Sequence, residues 1–347
     1  MSLPDTAPPR KPRRLGLWLP FVGLALLIAA WSAAWVWARG ETAKRMDAAV
    51  ATLGKAGYQI AWKERRIGGY PFRMDVTLTD ARAREPSGWA LEAPRLEGEA
   101  FMHAITSWLI AAPDGITFVR PQGGAVAVKG QLIRASLTHP AAHPPSFSFE
   151  GVKLAFAPEP GAQPFGLTGA ERVEFHLRAG PDDEGGVFAR VDNGQARLSG
   201  LLARVAGGKP VSMVWNSTLS KMSAFTGPTW ADAVRHWTDA GGRMTVRQAG
   251  ITAGDAVLGV DSGSLGVASD GRLSGALQVT LRQAPRGLAA MGDTGLIAPD
   301  AAQQATVVAE ARRGAGEATQ AAINFQAGRT TLGPVALGPA PKVYDRR

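Results

Sequence analysis

The chain has 347 residues, a formal net charge of +9, no cysteine, 42 glycines and 24 prolines. The missing thiols exclude disulfides, thiolate catalysis and cysteine metal sites. The basic residues form no dense run with interleaved aromatics, which argues against nucleic-acid binding, and the length suffices for one large or two ordinary domains that need no covalent staples.

Residues 1–14 are polar, proline-rich and basic, which predicts a disordered cytoplasmic tail. Leu15 to Ala38 then reads LGLWLPFVGLALLIAAWSAAWVWA and holds no charge. A helix needs about 20 apolar residues to cross roughly 30 Å of hydrocarbon, so residues 15–38 are a predicted transmembrane anchor. Trp18 lies near one end and Trp31, Trp35 and Trp37 crowd the other, where indoles favour the interface. Arg10, Lys11, Arg13 and Arg14 precede the run, and a mixed-sign segment follows it. The positive-inside bias puts the N-terminus in the cytoplasm and the rest outside. A cleaved signal peptide is the alternative, with Ser32-Ala33-Ala34 as the nearest cleavage site, but the apolar run is too long for it.

Met46, Val50 and Leu53 recur at helical spacing, so residues 39–57 read as a membrane-proximal helix continuing the anchor, which Gly54 and Gly57 can end. Beyond it, residues 58–345 read as a β-rich ectodomain. Tyr58, Ile60 and Trp62 alternate with polar neighbours, as do Met74, Val76 and Leu78. Gly68, Gly69 and Pro71 between them predict an antiparallel pair with an irregular corner. Further strand signals follow, at glycine-punctuated intervals, through Leu91, Phe118, Val126, Ile133, Phe147, Phe149, Leu154, Phe156, Val173, Phe175, Val187, Val211, Val246, Val260, Val279, Phe325 and Val335. Composition alone allows a helix over Phe101 to Ala112. Two helices interrupt the strands more clearly. One starts near Pro228, with Thr226 as cap, a stripe of Trp230, Val234 and Trp237, and a stop at Gly241-Gly242; the other spans Pro299 to Arg313.

Catalytic constellations are not evident. His139 and His143 sit among prolines that forbid a helix, so a solvated loop fits better than a metal pair. Gly207-Gly208-Lys209 lacks the spacing and the hydroxyl of a phosphate loop, and Ser262-Gly263-Ser264-Leu265-Gly266 lacks one glycine of a nucleophile elbow. Asp182-Asp183-Glu184 reads as an acidic turn. No cofactor or metal is expected. Arg65, Arg66 and Arg73 are candidate contacts for lipid phosphates, because guanidinium suits bidentate phosphate binding near a bilayer. The structural alternative ranks first: Gly68, Gly69, Tyr70, Pro71 and Phe72 form a turn motif and the arginines flank it. The tryptophans fit core packing better than an acyl-chain groove.

Arg66-Ile67-Gly68-Gly69-Tyr70-Pro71-Phe72-Arg73, shortly after an N-terminal anchor, resembles a bacterial envelope family catalogued as a domain of unknown function, number 2125. Trp237 to Thr245, Asp270 to Gly275 and Leu332 to Val335 are similar to its downstream blocks. The glycine-punctuated strands also resemble the wider AsmA-like group. The resemblance implies an inner-membrane anchor and an elongated, mostly β ectodomain in the periplasm; together with the strand and helix signals above, the expected fold is mainly β (α+β), antiparallel and AsmA-like, with two or three helices. For AsmA-like proteins it implies lipid homeostasis or lipid transfer along a hydrophobic groove. The expected function is therefore non-enzymatic binding or guiding of lipid or another hydrophobic ligand, with the membrane as partner. A membrane-tethered scaffold for an envelope protein partner is the alternative, and a cryptic hydrolase ranks third.

Overall fold

The computed structural model describes residues 15–140, 142, 144–197, 207–253, 256–282, 303, 307, 319–333 and 335–344. Its first element is α1 (Leu15–Lys55), a single helix of 41 residues. Pro20 lies inside the apolar part, and no acidic residue occupies the first turn. The helix ends where Gly57 takes a φ of 89° and the amides of Ala56, Gly57 and Tyr58 turn back on Leu53 and Gly54, a left-handed stop that glycine adopts at no steric cost. Among the described residues this is the one helix long and apolar enough to cross a membrane.

Among the described residues, eighteen strands follow in one antiparallel sheet. They are β1 (Gln59–Ala61), β2 (Glu64–Gly68), β3 (Arg73–Arg84), β4 (Ala90–Phe101), β5 (Ser107–Ala111), β6 (Ile116–Arg120), β7 (Gly124–Lys129), β8 (Leu132–Thr138) and β9 (Ser146–Pro158). The second half is β10 (Leu167–Ala179), β11 (Gly185–Ala196), β12 (Val211–Leu219), β13 (Met244–Ala253), β14 (Ala256–Val267), β15 (Leu273–Arg282), β16 (Thr319–Gln326), β17 (Arg329–Leu332) and β18 (Val335–Pro339). β1 and β2 both pair with β3, which pairs with β4. The sheet then divides: β4 reaches β9 through β5 and β8, and also through β6 and β7. From β9 to β18 each strand pairs with the next, a plain meander. The two routes close a ring of strands, β4–β5–β8–β9–β7–β6, and the meander from β10 to β18 extends from it, so the ectodomain is mainly β.

Phe101 to Ala112 is not a helix. β4 ends at Phe101, a single 3₁₀ turn spans Met102–Ala104, and β5 takes the apolar run Ser107–Ala111. The free edges of β4 and β8 flank that run and pair with it on both sides, so ladder hydrogen bonds override a composition that suits a helix. The helix near Pro228 is α2 (Trp230–Asp239). Its cap is Thr229, not Thr226: the Thr229 hydroxyl accepts from the Asp232 amide at 3.2 Å and donates to the Asp232 carboxylate at 2.7 Å. Val234 and Trp237 bury the expected stripe, while Trp230 remains exposed. Trp237 donates to the Ser220 carbonyl at 2.6 Å, pinning α2 beside the β12–β13 connection. The tail 1–14 lies outside the described residues, as does nearly all of Pro299 to Arg313.

Two clusters of buried hydrophobic residues stand out, and other buried side chains such as Met74 and Val126 lie outside both. One joins Ala112, Val128, Ile133 and Leu154; the other joins Val246, Ala249, Leu265, Leu277 and Val279. Between them, strands such as β12 are only half-buried along almost their whole length.

Candidate functional site

Residues paired across an antiparallel ladder point to the same face of the sheet. Following the register from Ile67 gives one row across the molecule: Ile67, Val76, Gly98, Ile110, Ala135, Phe149, Phe175. It continues through Ala189, Trp215, Ala249, Val260, Val279 and Ala321. No polar side chain interrupts it. At ~4.8 Å per strand the twelve steps span roughly 58 Å of contour. None of these residues is exposed, yet outside the two clusters most are only half-buried. The row one residue over, on the opposite face, reads Arg66, Thr77, Glu97, Ala111, Arg134, Glu150, Glu174 and Arg190 before Val214, two glycines, Thr280 and Gln320. One face is therefore apolar and the other carries the charge.

The charged face is held by cross-strand ion pairs. Glu150 bridges Arg134 and Arg172, each at 2.6 Å. The hydrogen bond from Arg134, with the charge of Arg172 beside it, holds the Glu150 carboxyl below the usual glutamate range. These side chains are spaced to pair with one another along the sheet, and no nucleophile stands beside a base among them. Asp183, in the acidic turn, accepts from the amide and hydroxyl of Ser223 at 2.7 and 2.8 Å, so it organises the turn Met222–Ala224. His139 sits exposed in a turn; His143 is outside the described residues.

The apolar row begins against α1. A cavity of about 220 Å³ lies between the helix and the sheet, lined by Thr42 and Met46 from α1 and by Val76, Leu96, Trp108 and Leu137 among others. Lower on the helix, the corner between β2 and β3 is tied to α1 side by side. Trp31 donates its indole N–H to the Pro71 carbonyl at 2.8 Å, and Trp35 donates to the Arg73 carbonyl at 2.9 Å. Ser32 and the Tyr70 hydroxyl share a hydrogen bond of 2.9 Å. Trp35 is buried, with its ring edge-on to Tyr70 at 5.5 Å, instead of facing the interface as an aromatic belt would. The corner needs Gly69: its φ is 98°, and an added Cβ would lie 2.7 Å from the Arg73 carbonyl oxygen. The Tyr70–Pro71 peptide bond is cis.

A family model described as an uncharacterized protein conserved in bacteria (DUF2125) matches residues 35–341. The chain belongs to the DUF2125 family. No curated protein and no solved structure gives a match. The DUF2125 match opens at Trp35, the residue that joins the helix to β3, and runs through the whole sheet.

Within this DUF2125 chain the three candidate arginines are separated, not gathered. Arg65 grips Asp47 with two hydrogen bonds, at 2.7 and 3.3 Å, and lies over the Trp62 ring at 5.5 Å. The hydrogen bond from Arg65 holds the Asp47 carboxyl below its ordinary range. Asp47 is twelve residues beyond Trp35, which puts Arg65 about 18 Å farther along the helix. Arg66 pairs with Glu64 at 2.7 Å on the opposite face. Arg73 pairs with Glu99 at 3.0 Å and Asp75 at 3.5 Å, at the level of Trp35. Arg73 is the one of the three beside the end of the apolar run.

Proposed function

We propose that this chain is a single-pass inner-membrane protein, N-terminus in the cytoplasm and ectodomain in the periplasm, that binds or guides lipid along its apolar face and catalyses no reaction. The single observation behind this reading is the apolar row from Ile67 to Ala321, carried from β9 onward by a meander of neighbouring strands. A soluble sheet usually hides such a face under a second layer. Here the middle of the row stays half-buried, which suits acyl chains that occupy it in turn. The cavity between Thr42, Met46 and Trp108 places the start of the row about 10–16 Å beyond Trp35 along α1. A lipid leaving the bilayer beside the helix meets that cavity first, and Arg73 stands at the depth where its phosphate would sit. The AsmA-like resemblance implies the same function.

Lipids retained by the full chain after extraction in mild detergent, identified by mass spectrometry, test the proposal. Phospholipid held in near-stoichiometric amount is the expected result. A chain free of lipid, with one membrane protein captured by cross-linking, would replace this reading with that of a tethered scaffold. A reporter fused after Arg347 tests the orientation, and cytoplasmic activity there would overturn it.

A further inference from the structure

We propose that the corner Gly69–Arg73 and the adjacent turn Phe101–Ile105 insert together into the outer interface of the bilayer, as a wedge beside α1. The inference rests on the reading of residues 15–38 as a membrane span. Its geometry is independent of the apolar row.

Depth comes from the helix. At ~1.5 Å per residue, Trp31 and Trp35 lie about 24 and 30 Å from Leu15. A hydrocarbon core is about 30 Å thick, so a span starting at Leu15 ends near Trp35. The indoles of Trp31 and Trp35 hold the carbonyls of Pro71 and Arg73 at those two levels. The corner is therefore fixed at the outer boundary of the hydrocarbon. The turn is fixed with it, because Phe101 pairs with Arg73 and the Met102 amide donates to the Phe72 carbonyl at 3.0 Å.

The side chains there suit lipid. Phe72 is 68% exposed, Phe101 53%, Tyr70 51% and Ile105 39%. Four large apolar groups standing out at one corner would be costly in water. At the interface they face acyl chains, and aromatic rings favour that depth.

The backbone suits lipid as well. Irregular chain at membrane depth persists only where its polar groups are satisfied internally. The Gly69 carbonyl accepts from the Arg73 amide, and Phe72 from Met102. Pro71 and Arg73 accept from the two indoles, and Pro71 has no N–H to satisfy. The Tyr70 hydroxyl is shared with Ser32. Those contacts satisfy these polar atoms within the protein and leave Phe72 and Phe101 standing outward.

The absence of native cysteine makes a single-label test clean. Phe72→Cys, Leu26→Cys and Arg84→Cys are each labelled with an environment-sensitive fluorophore. The full chain is reconstituted into phosphatidylethanolamine–phosphatidylglycerol vesicles containing a lipid with a shallow nitroxide. Leu26 is an exposed position within the span, and Arg84 lies at the far end of β3, about 36 Å from Arg73 at ~3.3 Å per residue. The wedge requires blue-shifted emission at Phe72, loss of its intensity to the nitroxide, and protection from aqueous iodide. Arg84 should respond to iodide alone. Quenching by lipid at Leu26 with a water-exposed Phe72 overturns the wedge and leaves the span standing. Water exposure at both overturns the span and the wedge together. A Phe72 label shielded from both quenchers places a protein over the corner and also overturns the wedge.

Discussion

The indole of Trp35 donates to the carbonyl of Arg73 at 2.9 Å. This one contact joins the anchor helix to the first long strand, 38 residues away in the chain. Trp35 is 7% exposed, so it contributes packing as well as the hydrogen bond. Trp35→Phe keeps most of the ring and loses the donor, and should cost about 1 kcal/mol. Trp35→Ala should cost about 3–5 kcal/mol, the range for a buried aromatic removed without refilling. Thermal unfolding of the detergent-solubilised chain checks both, and equal losses in the two variants would mean that the hydrogen bond dominates over packing.

Gly69→Ala should loosen the corner that Trp35 holds. The new methyl meets the Arg73 carbonyl, and the φ of 98° is one that alanine rarely adopts. We predict a loss of more than about 1 kcal/mol, with faster limited proteolysis near residues 69–73. Gly68→Ala is the control, because an added Cβ there meets nothing within 4 Å. Equal proteolysis of the two variants would dismiss the strained-corner account.

Strand positions were legible because half-buried strands repeat every two residues, as Met74, Val76 and Leu78 do. The apolar row was not, since it requires the register of thirteen strands at once. Bulges that switch the side-chain facing inside strands hide it further. Phe147 and Phe149 share a face with Leu154 and Phe156, although the parity changes between them. Lys153 has a φ of 50° and turns the strand over, which lays Leu154 above Gly151, where an added Cβ would lie 2.6 Å from the leucine. That parity switch was a readable sign of the bulge. Trp31 and Trp35 also carried a signal, since residues four apart share one helix face, but ten tryptophans look alike until a partner strand picks two of them. Arg65, Arg66 and Arg73 were legible as a cluster only in sequence; strand direction spreads them over about 18 Å of helix height and both faces of the sheet.

If lipid lies along the row, a charge at its centre should block it. Ala189 sits between Phe175 and Trp215 and is half-buried. Ala189→Asp would press an unpaired carboxylate against acyl chains, and retained lipid should fall about tenfold or more. Arg190→Ala, one residue over on the charged face, should leave retention unchanged. Mass spectrometry of both variants, with unfolding curves to show that each folds, checks the difference. Equal retention in the two would remove the row as the lipid path.

Arg73 and Arg65 should differ in what their loss does. Arg73→Gln removes the cation at the Trp35 level and should weaken retention of anionic phospholipid, with a smaller effect on zwitterionic lipid. Arg65→Gln breaks the pair with Asp47 and should lower the unfolding temperature instead, leaving the lipid composition as it was. Lipid profiles that shift equally in the two variants would remove the special place of Arg73.

Glu150 sets an acid limit on the charged face. Its carboxyl is held below the ordinary value of 4.5 by the hydrogen bond from Arg134, with further lowering from Arg172. A folded pKa below the unfolded one means that the bridge contributes fully above the unfolded value and is lost as the pH falls through the folded value. The side chains of Arg134 and Arg172 are 47% exposed, so solvent screens the network and its contribution at neutral pH should be about 1 kcal/mol. Glu150→Gln should therefore lower the unfolding temperature at pH 7 and lose that difference below the ordinary glutamate range. Raising the salt concentration at pH 7 should shrink the same difference. A gap between wild type and variant that stays constant from pH 7 down to pH 3 would overturn this account, because only the ionised carboxylate holds both guanidinium groups.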